Sequence, residues 1–195
     1  MTSHSMSSSG HHGICTWWIA YTFDNPVRRL IHKPQKVLGN YVKEGMTVMD
    51  LGCGMGHFTI GMAGLVGPTG KVIAVDLQQK MLDILGNRAR RAGLSDRIFA
   101  YLCQADDIGI EVSTEFILAF WMVHELPDQE NFFKQLKTRL TAEGKILVAE
   151  PKMHVAAEAF ERTIDIAQSC GLQCIERPDI RFSRTALLGR GAIGI

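Results

Sequence analysis

Nowhere does this sequence stay apolar for anything near the ~18 residues that a membrane-crossing helix needs, so no span is expected. Charge of one sign is missing as well. Its 21 Lys and Arg against 20 Asp and Glu leave a net charge of +1, with no basic stripe to hold DNA or RNA. Cysteines number five, an odd count at uneven spacings (Cys15, Cys53, Cys103, Cys170, Cys174). That is no disulfide framework, and it points to a reducing, cytoplasmic setting. Cys170 and Cys174 form a close pair with no second pair to complete a metal site, so no metal is expected. Internal repeats and long linkers are also lacking. The opening MTSHSMSSSGHH has no apolar core of a secretory signal, and residues 1–13 read as a disordered start or an expression remnant.

What is present suits one globular domain over residues 14–195: 195 residues in all, 46% hydrophobic and 21% charged, enough for a substantial core. The lead-in is aromatic, with Trp17, Trp18, Tyr21 and Phe23 ahead of Pro26. Pro26 suits a helix start running through Ile31, and Lys33-Pro34 a second helix. That second helix puts Val37, Leu38, Tyr41 and Val42 on one face and ends at Gly45. Residues 14–45 therefore form a helical segment that either packs on a sheet edge or covers a ligand as a flap.

From Met46 onward, apolar strands alternate with amphipathic helices. Strands are expected at 47–50, 71–76, 98–103, 116–120 and 144–150. Helices fall at 57–66, 78–92, 129–140 and 155–170, and two short strands near 173–176 and 181–188 turn at Pro178-Asp179. This pattern predicts an α/β fold, a doubly wound and mostly parallel sheet of seven strands with a C-terminal antiparallel hairpin. Right-handed crossovers then place a ligand at the switch point near the first strand.

The stretch Val48-Met49-Asp50-Leu51-Gly52-Cys53-Gly54-Met55-Gly56-His57 is an apolar strand that ends in a carboxylate and a glycine-rich turn. Glycine is needed where the backbone takes positive φ or must touch a ligand directly. A dinucleotide fingerprint wants G-x-G-x-x-G with its third glycine deeper in the helix; here the third glycine falls at 56, which argues against a dehydrogenase. Asp76 ends the second strand about twenty positions after Gly56, where doubly wound folds set an acid against ribose hydroxyls. Its other reading is a plain helix cap. After the third strand, Gln104, Ala105 and Asp106 offer partners for an adenine, or form a solvated turn. After the fourth, Phe120-Trp121 can flank a flat or sulfur-bearing ligand, or simply pack.

Taken in order, these segments resemble the class I S-adenosylmethionine-dependent methyltransferases and their Rossmann-like fold. Val48–Gly56 looks like their first motif, 72–76 their second, FWMVHELPD (120–128) their post-fourth-strand segment and LTAEGKILVAE (140–150) their fifth-strand region. The similarity covers roughly residues 45–188 and is greatest to small stand-alone enzymes of ubiquinone and menaquinone biosynthesis. It implies S-adenosyl-L-methionine as cofactor and S-adenosyl-L-homocysteine as product. Asp50 would then orient the cofactor's amino group, and Gly52 through Gly56, with Cys53 and Met55, would bear its methionine part. Asp76 and Leu77 would hold the ribose, the Gln104–Asp106 turn the adenine, and the backbone near Phe120 the methionine amine. Relatives often carry an acid where Gln104 stands, so Gln104 and Asp106 both remain candidates for adenine. His124, Glu125, Glu150 and Tyr21 are the candidates for acid–base work on an acceptor. A small or lipophilic acceptor under the Trp17-Trp18 flap fits best. The rival expectation is a catalytically silent, cofactor-binding regulatory module.

Overall fold

The computed structural model describes residues 31–191; Trp17, Trp18, Tyr21 and most of the expected flap lie outside them. The chain enters through a short helix, α1 (Pro34–Leu38), before β1 (Thr47–Leu51), α2 (His57–Leu65), β2 (Lys71–Asp76), α3 (Gln79–Ala92) and β3 (Ile98–Leu102). It returns through β4 (Thr114–Phe120), a 3-10 turn (Val123–Glu125), α4 (Gln129–Arg139), β5 (Leu140–Pro151), α5 (Ala157–Ser169), β6 (Leu172–Glu176) and β7 (Ser183–Arg190). The seven strands run in the order β3-β2-β1-β4-β5-β7-β6. β1 through β5 are parallel, and β7 runs antiparallel to both β5 and β6.

The order follows from the apolar runs. β1 is bracketed by β2 and β4, so both its faces must be covered by helices, and its residues alternate between two cores. Met49 and Leu51 join Ile117, Ala119, Ile146 and Val148 on one face, while Val48 joins Phe116, Leu118, Leu147 and Ala149 on the other. Phe116, Phe133 and Phe160 are among the largest fully buried side chains, each stabilising the fold by roughly 1.5–3 kcal/mol through burial alone. The chain leaves β1 towards β2 and β3, then crosses back so that β4 lies on β1's other side. The switch point is therefore the cleft at the carboxyl ends of β1 and β4, between Gly52 and Trp121.

Among the boundaries that differ from expectation, three have a visible cause. α1 stops at Leu38 rather than continuing to Gly45. The turn after it has the Tyr41 and Val42 amides both donating to Leu38 O, at 2.8 and 2.9 Å. The expected apolar face survives without the helix, with Leu38 and Val42 buried and Tyr41 stacked on Phe116. β5 begins at Leu140, directly after α4, because buried Leu140 pairs with Thr114 across a register shift. β7 starts at Ser183, since Phe182 takes a φ of 61° and breaks the extended run. No helix among the described residues is long and apolar enough to cross a membrane.

Candidate cofactor and acceptor site

The three turn glycines all have positive φ, at 63°, 53° and 84° for Gly52, Gly54 and Gly56, yet their surroundings differ. A Cβ on Gly52 would lie 3.1 Å from the side chain of Met122, and one on Gly56 would lie 2.3 Å from Leu85 Cδ1. These two are glycine because the turn packs against the post-β4 segment and against α3. A Cβ on Gly54 would meet nothing within 4 Å. The turn is braced from below: Cys53 N–H donates to Val75 O (3.1 Å), Gly54 N–H to Asp76 Oδ2 (2.8 Å) and an Arg88 guanidinium N–H to Met55 O (2.8 Å). Met55 and Cys53 are themselves buried. Gly54 is thus a bare stretch of backbone facing open space, as a cradle for a ligand requires.

Asp76 joins the turn to α3. Its Oδ2 accepts from Gly54 and its Oδ1 from the Gln78 amide at 2.9 Å. Burial pushes its pKa up, against the backbone N–H groups of Gln78, Gly54 and Leu77, which pull it down. A carboxylate has about four acceptor sites, so one that already takes two amides retains capacity for hydroxyl donors. Leu77, beside Asp76, is among the exposed large hydrophobics. Asp50 is buried in β1, where its Oδ2 accepts from Thr59 Oγ1 of α2 at 2.5 Å.

The turn after β3 leaves Gln104, Ala105 and Asp106 exposed, with Cys103 N–H donating to Asp76 O at 3.1 Å. A clamp from α4 holds it. Gln135 Nε2 and Asn131 Nδ2 both donate to Asp106 O at 2.7 Å, and Gln135 Oε1 accepts from the Ile108 amide at 3.0 Å. One side-chain amide therefore pairs with the backbone on both sides of Asp107. Gln135→Ala is expected to leave the buried Ile108 amide without its acceptor, costing about 1–2 kcal/mol. It should also weaken S-adenosylhomocysteine roughly five- to tenfold, measured by chemical denaturation and calorimetric titration. Unchanged affinity would mean that the turn does not depend on α4 for its ligand geometry.

Beyond β4, Trp121 is a non-glycine residue with a φ of 62°, an uncommon conformation for a bulky side chain. Its amide donates to Ala149 O (2.7 Å), its indole N–H to Ser183 Oγ (3.0 Å), and its ring meets His32 edge-on at 5.2 Å. Phe120 is buried against Phe58, His32 and Trp121. Next come His124 and Glu150, far apart in sequence and bonded here: His124 Nδ1 donates to Glu150 Oε2, and Glu150 Oε1 accepts from the Val123 amide at 2.8 Å. Glu150 is buried, whereas His124 keeps 28% of its side chain exposed and its Nε2 lies 3.9 Å from Glu125 Oε1. The His124 pKa is raised, first by the hydrogen bond to Glu150 and against the effect of burial. That of Glu125 is raised mainly by burial, with His124 opposing and the charges of Glu150 and Asp76 adding.

The structure therefore gathers Gly52–Gly56, Asp76, Leu77, the Gln104–Asp106 turn, Phe120, His124, Glu125 and Glu150 at the carboxyl ends of the strands. It also brings in residues the sequence did not single out. Thr59, Met122, Arg88 and Gln135 act through contacts across 9 to 33 or more positions, which no local pattern marks. His32 donates from Nε2 to Arg181 O at 2.8 Å, and His57 Nε2 donates to His32 O at 2.8 Å; a single histidine in an irregular lead-in carries no signal of either. Among the described residues no group of His, Cys, Asp and Glu is arranged to hold a metal ion.

Comparison with known proteins agrees with this geometry. The family model described as Methyltransferase domain matches residues 42–177. A demethylmenaquinone methyltransferase of Lactobacillus johnsonii is 33% identical over 112 residues, covering 56% of this chain and 45% of that protein. A ubiquinone/menaquinone biosynthesis C-methyltransferase of Hahella chejuensis is 25% identical over 124 residues, covering 62% and 50%. The chain thus matches about half the length of these curated relatives. Among solved structures, a SAM-dependent methyltransferase from Aquifex aeolicus superposes with a TM-score of 0.78 at 23% identity, covering 88% of this chain and 97% of that one. A SAM-dependent O-methyltransferase from Thermotoga maritima gives 0.67 at 15% identity, covering 87% and 72%.

Proposed function

The chain belongs to the family of the Methyltransferase domain, matched over residues 42–177, and from that premise we propose that it transfers the methyl group of S-adenosylmethionine to a small-molecule acceptor. The observation that carries this reading is the open backbone at Gly54, tied by its own N–H to Asp76. A nucleoside lying there would meet glycine backbone at its amino-acid end and a buried carboxylate at its ribose, and the Asp76 charge would regain hydrogen bonds that burial denies it. Gly52 to Gly56, Asp76, Leu77 and the Gln104–Asp106 turn would hold the cofactor, with Asp50 and the Phe120 backbone beside its amino group. When bound, the cofactor supplies a methyl already activated by a positively charged sulfur. What is left to the protein is mostly orientation and exclusion of water.

The curated relatives are named for demethylmenaquinone and for ubiquinone and menaquinone biosynthesis, which favours a ring-bearing acceptor. The aromatic segment 14–25, outside the described residues, has the composition to cover a lipophilic one. Calorimetric titration with S-adenosylmethionine, S-adenosylhomocysteine and NAD tests the cofactor, and transfer of a labelled methyl group tests the activity. Binding of NAD alone would overturn the reading. Binding of S-adenosylhomocysteine with no transfer to any acceptor would leave a regulatory module in its place.

A further inference from the structure

His124, on the 3-10 turn after β4, and Glu150, on β5, meet at the edge of the cofactor cleft. Glu150 is fixed in position by two bonds, one from the Val123 amide and one from His124. Its hold on Nδ1 selects the tautomer of the neutral imidazole with the proton on Nδ1 and the lone pair on Nε2. The ring remains partly exposed. The segment that carries it also touches the cofactor turn, since the Met122 side chain lies 3.1 Å from where a Gly52 Cβ would be.

Resting on the methyl-transfer reading, we propose that His124 is the general base of the reaction, oriented by Glu150 as a positioning residue. The acceptor is then a molecule that gives up a hydroxyl proton, a phenol or an enol. The proton of the hydroxyl passes to His124 Nε2. The electron pair left on oxygen, or delocalised to a conjugated carbon, forms the new bond to the methyl carbon while the carbon–sulfur bond breaks and its pair stays on sulfur. Attack through carbon is completed by loss of that carbon's own proton to water. His124 then releases its proton to solvent. An acceptor already bearing a free lone pair, such as a tertiary amine or a thiolate, would leave this base without a task.

The charged groups acting on the ring are Glu150 on β5 and Glu125 on its own turn; Arg184, in register with Glu150 from β7, donates to Val155 O at 2.9 Å. The two carboxylates hold the proton on His124 above the ordinary 6.5. The base is therefore neutral, and competent, only as the pH rises past that higher value. Transfer should rise with pH along a limb whose midpoint lies above 6.5.

The test uses the full chain, a labelled methyl donor and two sets of probes: 1,4-naphthohydroquinone and catechol against pyridine and dimethyl sulfide, whose lone pairs are free at neutral pH. The expected result is label on the hydroxylated probes only. His124→Gln should lower kcat about 100-fold or more, with loss of the pH limb and S-adenosylhomocysteine affinity kept within threefold. Because Glu150→Gln changes a buried, doubly bonded side chain and so also folding stability, nitrogen NMR of histidine-labelled wild-type protein serves as a second measurement. It should show His124 protonated on Nδ1 when neutral, with a midpoint above 6.5. Label only on pyridine or dimethyl sulfide, label on no probe, an unchanged limb in His124→Gln, or a proton on Nε2 would each overturn the proposal. Failure of the wild-type protein to bind S-adenosylhomocysteine would instead strike the cofactor reading beneath it.

Discussion

Asp76→Ala is expected to weaken S-adenosylhomocysteine at least about 100-fold and to lower stability by about 2 kcal/mol, read by calorimetry and chemical denaturation. Both effects have one cause. The carboxylate accepts from Gly54 on one oxygen and from Gln78 on the other, and its removal leaves two amides to find water at about 1 kcal/mol or more each. The same truncation removes the acceptor proposed for two ribose hydroxyls; two charge-assisted bonds at roughly 1.5 kcal/mol each already amount to two orders of magnitude. Asp76→Asn separates the parts. Its amide group presents a donor where Gly54 or Gln78 also donates, so it should be nearly as damaging as alanine despite its shape. Near-normal affinity in Asp76→Ala would make this residue a brace for the turn and nothing more.

Much of this architecture was readable because it rests on short-range patterns. Strand–helix alternation from Met46, the carboxylates at the ends of β1 and β2, and the glycine turn between them are properties of neighbouring residues. The sheet's antiparallel end was legible for the same reason, from two short apolar runs around Pro178-Asp179. What escaped notice was set by pairing between distant segments. Leu140 belongs to β5 because Thr114 lies opposite it. Gln135 gains its role from the turn it reaches at Asp106 and Ile108. His124 and Glu150 stood as separate candidates in the sequence, and only the β4–β5 register makes them a pair. The three glycines look alike in the sequence and share positive φ, whereas the fold gives them different surroundings.

That difference supports a second large effect, a contrast between Gly54→Ala and Gly56→Ala. Both positions have positive φ, so alanine costs each about 1–2 kcal/mol in backbone conformation. At Gly56 the added methyl would also lie 2.3 Å from Cδ1 of Leu85, a fully buried side chain on the inner face of α3. Overpacking adds about 1–3 kcal/mol, for a loss of about 3 kcal/mol or more, a large share of a domain's stability. At Gly54 nothing lies within 4 Å, so the protein should stay folded with only the conformational cost. Its methyl enters the space assigned to the cofactor, where a comparable steric penalty reappears as a 10- to 100-fold loss of S-adenosylhomocysteine affinity. Melting temperature and calorimetric affinity should therefore move in opposite proportion in the two variants. If Gly54→Ala bound normally, the ligand would have to lie away from Gly54, along the strand ends or against exposed Gly52.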